Sequence, residues 1–383
     1  MQRDAAALKA ALADLEQRHL TRRRRTGVGG LLNFCSNDYL GLRDHPEVTR
    51  AFIAAAEKYG VGSGAAHLVT GHGPEHAALE EELAAFTGRE RALVFSTGYM
   101  ANMGVIGALA DQKSLIVSDK LNHASLIDGC RLSGAEVRRY PHGDSERAAE
   151  LIAKAEPDAA TRLLVTDGVF SMDGDLAPLS SLAKAAREAK AWLVVDDAHG
   201  LGVLGAAGRG SCEAWTLRPD DVPVLIGTFG KAFGTFGAFV AGDADLIEFL
   251  VQKARTYIYT TALPPAVAAA TRAALRVSER ESWRREKAIA LAHRTRIGLI
   301  ERGIVEGTRG PDPDTTIVPV MLESEARALA ASRALEERGF LVSAIRPPTV
   351  PAGTSRLRIT LSAAHEESQV DALLDALREA VPA

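Results

Sequence analysis

From residue 92 to residue 241 the chain keeps switching between strand-like and helix-like hydrophobic patterns, and this alternation narrows its possible folds more than any other feature. Short apolar runs suited to buried strands fall at 92–96, 114–118, 136–140, 162–166, 192–196, 224–228 and 237–241. Helical stretches lie between most of them, at 98–110, 123–133, 144–155 and 178–190. Strands covered on both faces read as continuous apolar runs, and the helices that join parallel strands supply the cover. The pattern predicts an α/β domain on a seven-stranded, largely parallel sheet.

Either side of this block the pattern changes. An amphipathic helix is predicted over 3–20, with Ala7, Leu8, Ala11, Leu12 and Leu15 on one side, followed by the basic run Arg22–Arg25. Helices are predicted near 46–59 and after Pro74, the latter preceded by a glycine-rich loop from Gly60 to Gly73. Helices over roughly 264–303 lead to the loop signal GTRGPDPDT. Beyond it come a strand near 316–321, a helix near 323–338, strands near 340–345 and 356–360, and a closing helix near 365–380. That order predicts a smaller α+β domain. The expected division is an N-terminal helix and arm at 1–45, a large domain at 46–275 and a small one at 276–383, which suits 383 residues.

Composition excludes several classes. A net charge of −4 argues against a protein organised around nucleic acid. Cys35, Cys130 and Cys212 lie far apart with no C-x-x-C pair, so neither a disulfide framework nor a thiolate zinc site is expected, and the reduced cytoplasm is the expected compartment. The first twenty residues carry early acids and lack the apolar segment of a signal peptide. Residues 92–110 are uncharged and about long enough to span a bilayer, but Ser96-Thr97-Gly98 interrupts them, so the expectation is a buried strand turning into a buried helix and no membrane span.

The chemistry concentrates at the ends of the apolar runs. Lys231 sits in Gly227-Thr228-Phe229-Gly230-Lys231-Ala232-Phe233-Gly234, among small residues, glycines and aromatics. Deprived of water, an ammonium loses its proton more readily and can attack an aldehyde. With the Thr228 hydroxyl available to a phosphate oxygen, the window suits a lysine that binds pyridoxal 5'-phosphate (PLP). A lysine reaching out to solvent from a strand end is the alternative. Asp196 ends the run Trp192-Leu193-Val194-Val195, where ligands of open α/β sheets bind, and its carboxylate suits a protonated pyridine nitrogen. His199, three residues on, is placed for the phenolic oxygen of such a ring. Gly98 and Tyr99 open a helix after a strand, so their N–H groups are candidates for the phosphate. His123, in LNHASL, is either a ring-stacking residue or a helix cap. Ser171, in DGVFSMDGD, lies near the phenolic oxygen or closes a turn.

One motif misleads. Gly200-Leu201-Gly202-Val203-Leu204-Gly205 is literally G-x-G-x-x-G, but the residues after it are too glycine-rich for a helix, and two acids precede it. An NAD-dependent dehydrogenase is therefore a remote alternative. Arg346, held in Ile345-Arg346-Pro347-Pro348-Thr349, is suited to grip a carboxylate in bidentate fashion.

Taken in order, SNDYLG, LNHASL, DGVFSMDGD, VDDAHG, TFGKAFG and the Arg346 loop resemble the α-oxoamine synthases, PLP enzymes of the aspartate-aminotransferase fold (fold type I), over nearly the whole chain. The resemblance implies that Lys231, His123 and Asp196 are catalytic. It implies cofactor contacts from Gly98, Tyr99, His123, Ser171, Asp196, His199, Thr228 and Lys231. It further implies a homodimer whose Thr260 or Thr261 reaches the partner's phosphate. Substrate contacts would come from Arg22, Asn37, His123, Arg346 and Thr349, with Arg346 on the amino acid carboxylate. The register of Arg22 within four consecutive arginines stays open. Asp167 stands where a glutamate is expected, a departure that touches a contact around the site. The implied reaction is an acyl transfer with loss of CO2 that joins L-alanine to a pimeloyl thioester, carried on coenzyme A or an acyl carrier protein. A sister synthase acting on glycine or serine is the alternative.

Overall fold

The computed structural model describes residues 5–22, 24–27, 29–155, 159–306 and 314–381. Most of the GTRGPDPDT loop, Arg23 and the first residues of the predicted N-terminal helix lie outside them. The described chain forms two compact units. The larger comprises Asn37–Ser171 and Asp175–Ala288; the smaller comprises the chain up to Ser36, Met172–Gly174, and Ile289 onward.

The larger unit is built on seven strands: β1 (Arg91–Phe95), β2 (Leu115–Asp119), β3 (Glu136–Tyr140), β4 (Arg162–Asp167), β5 (Trp192–Asp196), β6 (Val224–Thr228) and β7 (Ala238–Gly242). Their order across the sheet is β1-β7-β6-β5-β4-β2-β3. β7 pairs antiparallel with both neighbours, and every other pair is parallel. Each strand lies within a residue or so of its sequence-predicted run. Two apolar clusters account for that agreement, since inward residues of the same strands alternate between them. One takes Leu93, Phe95, Ile116, Leu163, Val165, Val194, Val224 and Ile226 together with the helices Gly98–Leu109 and Ala124–Ser133. The other takes Leu115, Val117, Leu164, Leu193, Val195 and Leu225 together with Ser145–Ala153 and Leu179–Glu188. Burial on both faces is what made the runs continuous in sequence.

The uncharged stretch 92–110 resolves into strand β1 and the helix Gly98–Leu109, as expected. Among the described residues no helix is long and apolar enough to cross a membrane. The dinucleotide-like glycines open no helix. Gly202 and Gly205 take positive φ of 82° and 83°, and the next helix is the one-turn Ser211–Ala214.

The smaller unit has an antiparallel sheet ordered Ser343–Ile345, Ser355–Thr360 and Ile317–Glu323. Helices Glu325–Glu337 and Glu367–Ala380 share its core with Phe34, Leu357, Ile359 and Leu373. Leu32–Asn33 pairs in parallel with Phe340–Leu341, a two-residue ladder that no local pattern announces.

Candidate active site

The topology puts the chemistry of the larger unit at one edge. Asp119, Asp167, Asp196 and Thr228 end parallel strands β2, β4, β5 and β6, and His123, Ser171, His199 and Lys231 follow within four residues. Gly98 starts its helix just after β1, which runs the same way. Ligands of α/β sheets bind at this edge because each strand ends in a loop there while the helices begin.

Asp196 is buried, and its carboxylate is met by donors. Asn102 Nδ2 donates to Oδ2 at 2.6 Å and the Ala198 N–H donates to Oδ1 at 3.0 Å. Lys231 is half-buried in the loop that returns β6 to the antiparallel β7. Phe229, Ala232 and Phe233 around it are buried, and the Gly234 N–H closes the turn on the Lys231 carbonyl at 2.9 Å. Gly234 has a φ of 65°, and a Cβ there would lie 2.3 Å from the Arg43 backbone nitrogen, so this glycine serves the turn and a close chain approach. The Lys231 charge is felt at both His123 and Asp167, which places the amine among the strand-end groups.

His123 caps the helix Ala124–Ser133. Its backbone N–H donates to Asp167 Oδ2 at 2.6 Å, so Asp167, where the resemblance leads to the expectation of a glutamate, fixes the position of this residue. His123 opens to solvent, yet enough protein crowds its ring to lower its pKa; Asp196 opposes that shift and Lys231 adds to it. Asp167 is pushed well above the ordinary carboxyl range, first by burial and then by Asp196. His199 Nδ1 lies 2.5 Å from the hydroxyl of the fully buried Tyr39, which also donates to Asn37 Oδ1 at 3.3 Å. The predicted Asn37 and His199 are thus joined through a residue that sequence reasoning passed over.

Thr228 Oγ1 donates to the Gly237 carbonyl at 2.9 Å and accepts from the Gly230 N–H at 3.3 Å. Thr97 caps the helix Gly98–Leu109, accepting from the Met100 N–H, and a Cβ on Gly98 would meet nothing within 4 Å. Gly98 thus stands in open space at the start of that helix, where a helix N-terminus favours an anion. Tyr99 hydrogen-bonds Asp128. Thr261 bridges to Ala66 in a short antiparallel contact and accepts from Ser96 Oγ at 3.1 Å. Thr260, half-buried, lies between it and the exposed Tyr259.

In the smaller unit, the structure brings Arg346, Thr349 and Arg22 together. Arg22 Nη2 donates to Thr349 Oγ1 at 3.2 Å, and the Arg346 guanidinium donates to the carbonyls of His19 and Thr21. Loss of surrounding water and then the Arg22 charge lower the Arg346 pKa. Arg25 is committed to a bidentate ion pair with Glu336, at 2.8 Å for both bonds. This separates Arg22 from Arg25 within the basic run, a choice that four identical letters could not make.

Residues 30–377 match the aminotransferase class I and II family. The chain belongs to this family. Within the family it is 62% identical over 351 residues to 8-amino-7-oxononanoate synthase of Methylococcus capsulatus, covering 92% of this chain and 89% of the relative. It is 58% identical to the enzyme of the same name from Saccharophagus degradans, over 91% of this chain and 86% of the relative. Among solved family structures, a serine palmitoyltransferase of S. paucimobilis with bound PLP-myriocin aldimine superposes with a TM-score of 0.91 at 32% identity, covering 99% of this chain and 98% of that one. The 8-amino-7-oxononanoate synthase of Francisella tularensis superposes at 0.78 with 30% identity, over 91% and 97%. The seven-stranded α/β unit is the fold type I architecture.

The residues present fit PLP. A buried carboxylate held by donors suits a protonated pyridine nitrogen, and a half-buried lysine lies among the same strand ends. An open helix start and a threonine hydroxyl suit a phosphate.

Proposed function

We propose that the chain carries the activity of 8-amino-7-oxononanoate synthases. L-alanine and a pimeloyl thioester become 8-amino-7-oxononanoate, CO2 and the free thiol, a step of biotin biosynthesis. Asp196 and Lys231 at the ends of adjacent parallel strands carry this reading, in a chain 62% identical to an enzyme of that name.

Asp196 would hold the pyridine nitrogen of PLP, Lys231 its aldehyde carbon, His199 and Ser171 its phenolic oxygen, and Gly98, Tyr99 and Thr228 its phosphate. Bound there, PLP supplies an electron sink for the α-carbon of the amino acid. Lys231 Nζ takes the α-proton of L-alanine and returns a proton before product leaves, a role suited to an amine held among the strand ends beside the reacting carbon. The Asn102 and Ala198 donors orient the Asp196 carboxylate toward the ring nitrogen it would hold. Arg346 grips the amino acid carboxylate, with Thr349 and Asn37 as further substrate contacts and Arg22 on the acyl chain. His123 covers the reacting face.

The surface supports a homodimer. Val61, Val69 and Tyr259 are 88%, 73% and 71% exposed. The Ala66–Thr261 bridge sets the segment holding Val69 beside the one holding Tyr259, and a partner would cover this apolar strip next to Thr260 and Thr261. The three cysteines are free, Cys130 and Cys212 both buried, which supports a cytoplasmic enzyme.

The test is product analysis with purified protein, PLP and an array of amino acids and thioesters. The expected outcome is release of CO2 and the amino ketone from L-alanine with a pimeloyl thioester, on coenzyme A, a carrier protein or both. Preferential turnover of serine or glycine with another acyl chain would move the protein to a sister activity.

A further inference from the structure

We propose that Asn102 and Ser125 form a hydrogen-bond relay from Asp196 that fixes the tautomer of His123, leaving Nδ1 as an acceptor and Nε2 as the ring's N–H donor. Asn102 is the fifth residue of the helix Gly98–Leu109 and is buried. Its Nδ2 has two protons. One goes to Asp196 Oδ2 at 2.6 Å and the other to Ser125 Oγ at 2.7 Å. The amide cannot be turned over, because its oxygen would then face a carboxylate oxygen at that same short distance. Among the described residues the oxygen itself finds no donor, which marks the two bonds made by the nitrogen as what holds the side chain.

Ser125 is also buried, and its hydroxyl lies 2.7 Å from His123 Nδ1. With Asn102 donating into the serine oxygen, the hydroxyl proton points on to the imidazole. A second donor confirms that direction: the Ser125 backbone N–H is aimed at the same Nδ1 at 3.3 Å. Two donors converging on one ring nitrogen require a lone pair there. The bond made at one nitrogen decides which nitrogen carries the proton. Crowding and then the Lys231 charge lower the pKa of the ring against the opposing Asp196 charge, which favours the neutral imidazole, while the buried Asp167 holds the His123 backbone.

The chain of bonds makes His123 a neutral donor, ready to stabilise negative charge that develops on a carbonyl oxygen at the reacting face. That consequence rests on the proposed condensation; the tautomer does not. Asn102 and Ser125 act through His123 and Asp196, so both are positioning residues.

The experiment is proton–nitrogen correlation NMR on protein carrying isotope-labelled histidine and saturated with PLP, with His123 assigned from a His123→Gln variant. The wild type is expected to show the pattern of a neutral ring protonated at Nε2. Ser125→Ala, which keeps the backbone N–H but removes the hydroxyl on Nδ1, should shift the Nδ1 resonance and raise the pH at which His123 titrates by about half a unit. It should also lower kcat about tenfold while cofactor affinity, read from the visible absorption, stays unchanged. An Nδ1-protonated ring in the wild type, a measurement that needs no variant to fold, overturns the proposal. So does a Ser125→Ala spectrum identical to wild type. If the wild type shows the expected tautomer but no condensation of L-alanine, the proposed activity fails and the relay stands.

Discussion

Asp196 and His67 are both polar groups buried in the larger unit, and their surroundings are built in opposite ways. Around Asp196 the protein supplies donors: the Asn102 amide and the Ala198 N–H converge on the carboxylate at the end of β5. Around His67 it supplies more imidazole. His72 and His76 lie with ring centres 5.3 Å away, Tyr257 stacks on the ring at 4.8 Å, and His67 Nε2 has no partner among the described residues. Burial, and after it the other two histidines, lowers the His67 pKa to about 3. Nearby Glu80, 3.9 Å from His72, is pushed up to about 7 by burial. One region meets its buried group with donors; the other disfavours charge on its buried group. A strongly shifted titration therefore does not by itself mark an active site in this molecule. His142, raised to about 10 between Asp119 and Asp175, makes the same point from a structural ion pair.

Three substitutions sharpen that contrast. The largest effect is expected for Lys231→Ala, which should lower turnover about 10⁴-fold and abolish the visible band that borohydride reduction removes from the wild type. Thermal stability should barely move. A folded variant that keeps the reducible band would break the assignment. Asp196→Asn comes next. Some cofactor binding should remain, but exchange of the α-proton of L-alanine in deuterated water should fall about 10³-fold; exchange at the wild-type rate would remove the electron-sink role.

The smallest effect belongs to the histidine region and touches stability alone. A histidine whose pKa falls from 6.5 unfolded to about 3 folded binds fewer protons in the native state. Its neutral form is fully tolerated above pH 6.5, and stability drains as pH drops from there toward 3. Glu80 works in the opposite sense, stabilising at low pH and losing that contribution as pH rises through about 7, so the whole-protein profile is flattened. The difference between wild type and His67→Phe isolates the histidine. Denaturant titrations should show the variant gaining about 2 kcal/mol on wild type between pH 6.5 and about pH 5, with kcat unchanged. No gain on acidification would show that His67 is not held neutral.

Much of the frame was readable from the letters. The seven strands could be placed because each carries apolar side chains on both faces, a local signature that does not depend on partner or order. Lys231, Asp196 and His123 could be singled out because strand ends in such sheets are where chemistry collects. The supporting residues were harder. Asn102 appears in sequence only as a polar letter inside an apolar helix, and its function becomes visible once the strand order brings that helix to Asp196, 94 positions away. Tyr39 looked like part of a turn motif, and its link to His199 crosses 160 positions. Hydrogen-bond partners are set by topology, which periodicity does not report. Arg22 shows the same limit: four equal arginines become distinguishable through the separate partners Thr349 and Glu336.

The guanidinium assigned to the amino acid's carboxylate and the aspartate assigned to the pyridine ring belong to different compact units of the polypeptide. Under those assignments, selectivity and reactivity would be written in separable stretches of gene. Evolution, or an engineer, can rewrite the proline-rich segment after Ile345 to welcome a different amino acid while leaving the proton-handling core untouched, and one ancestral catalyst can thereby diversify into enzymes with unlike products.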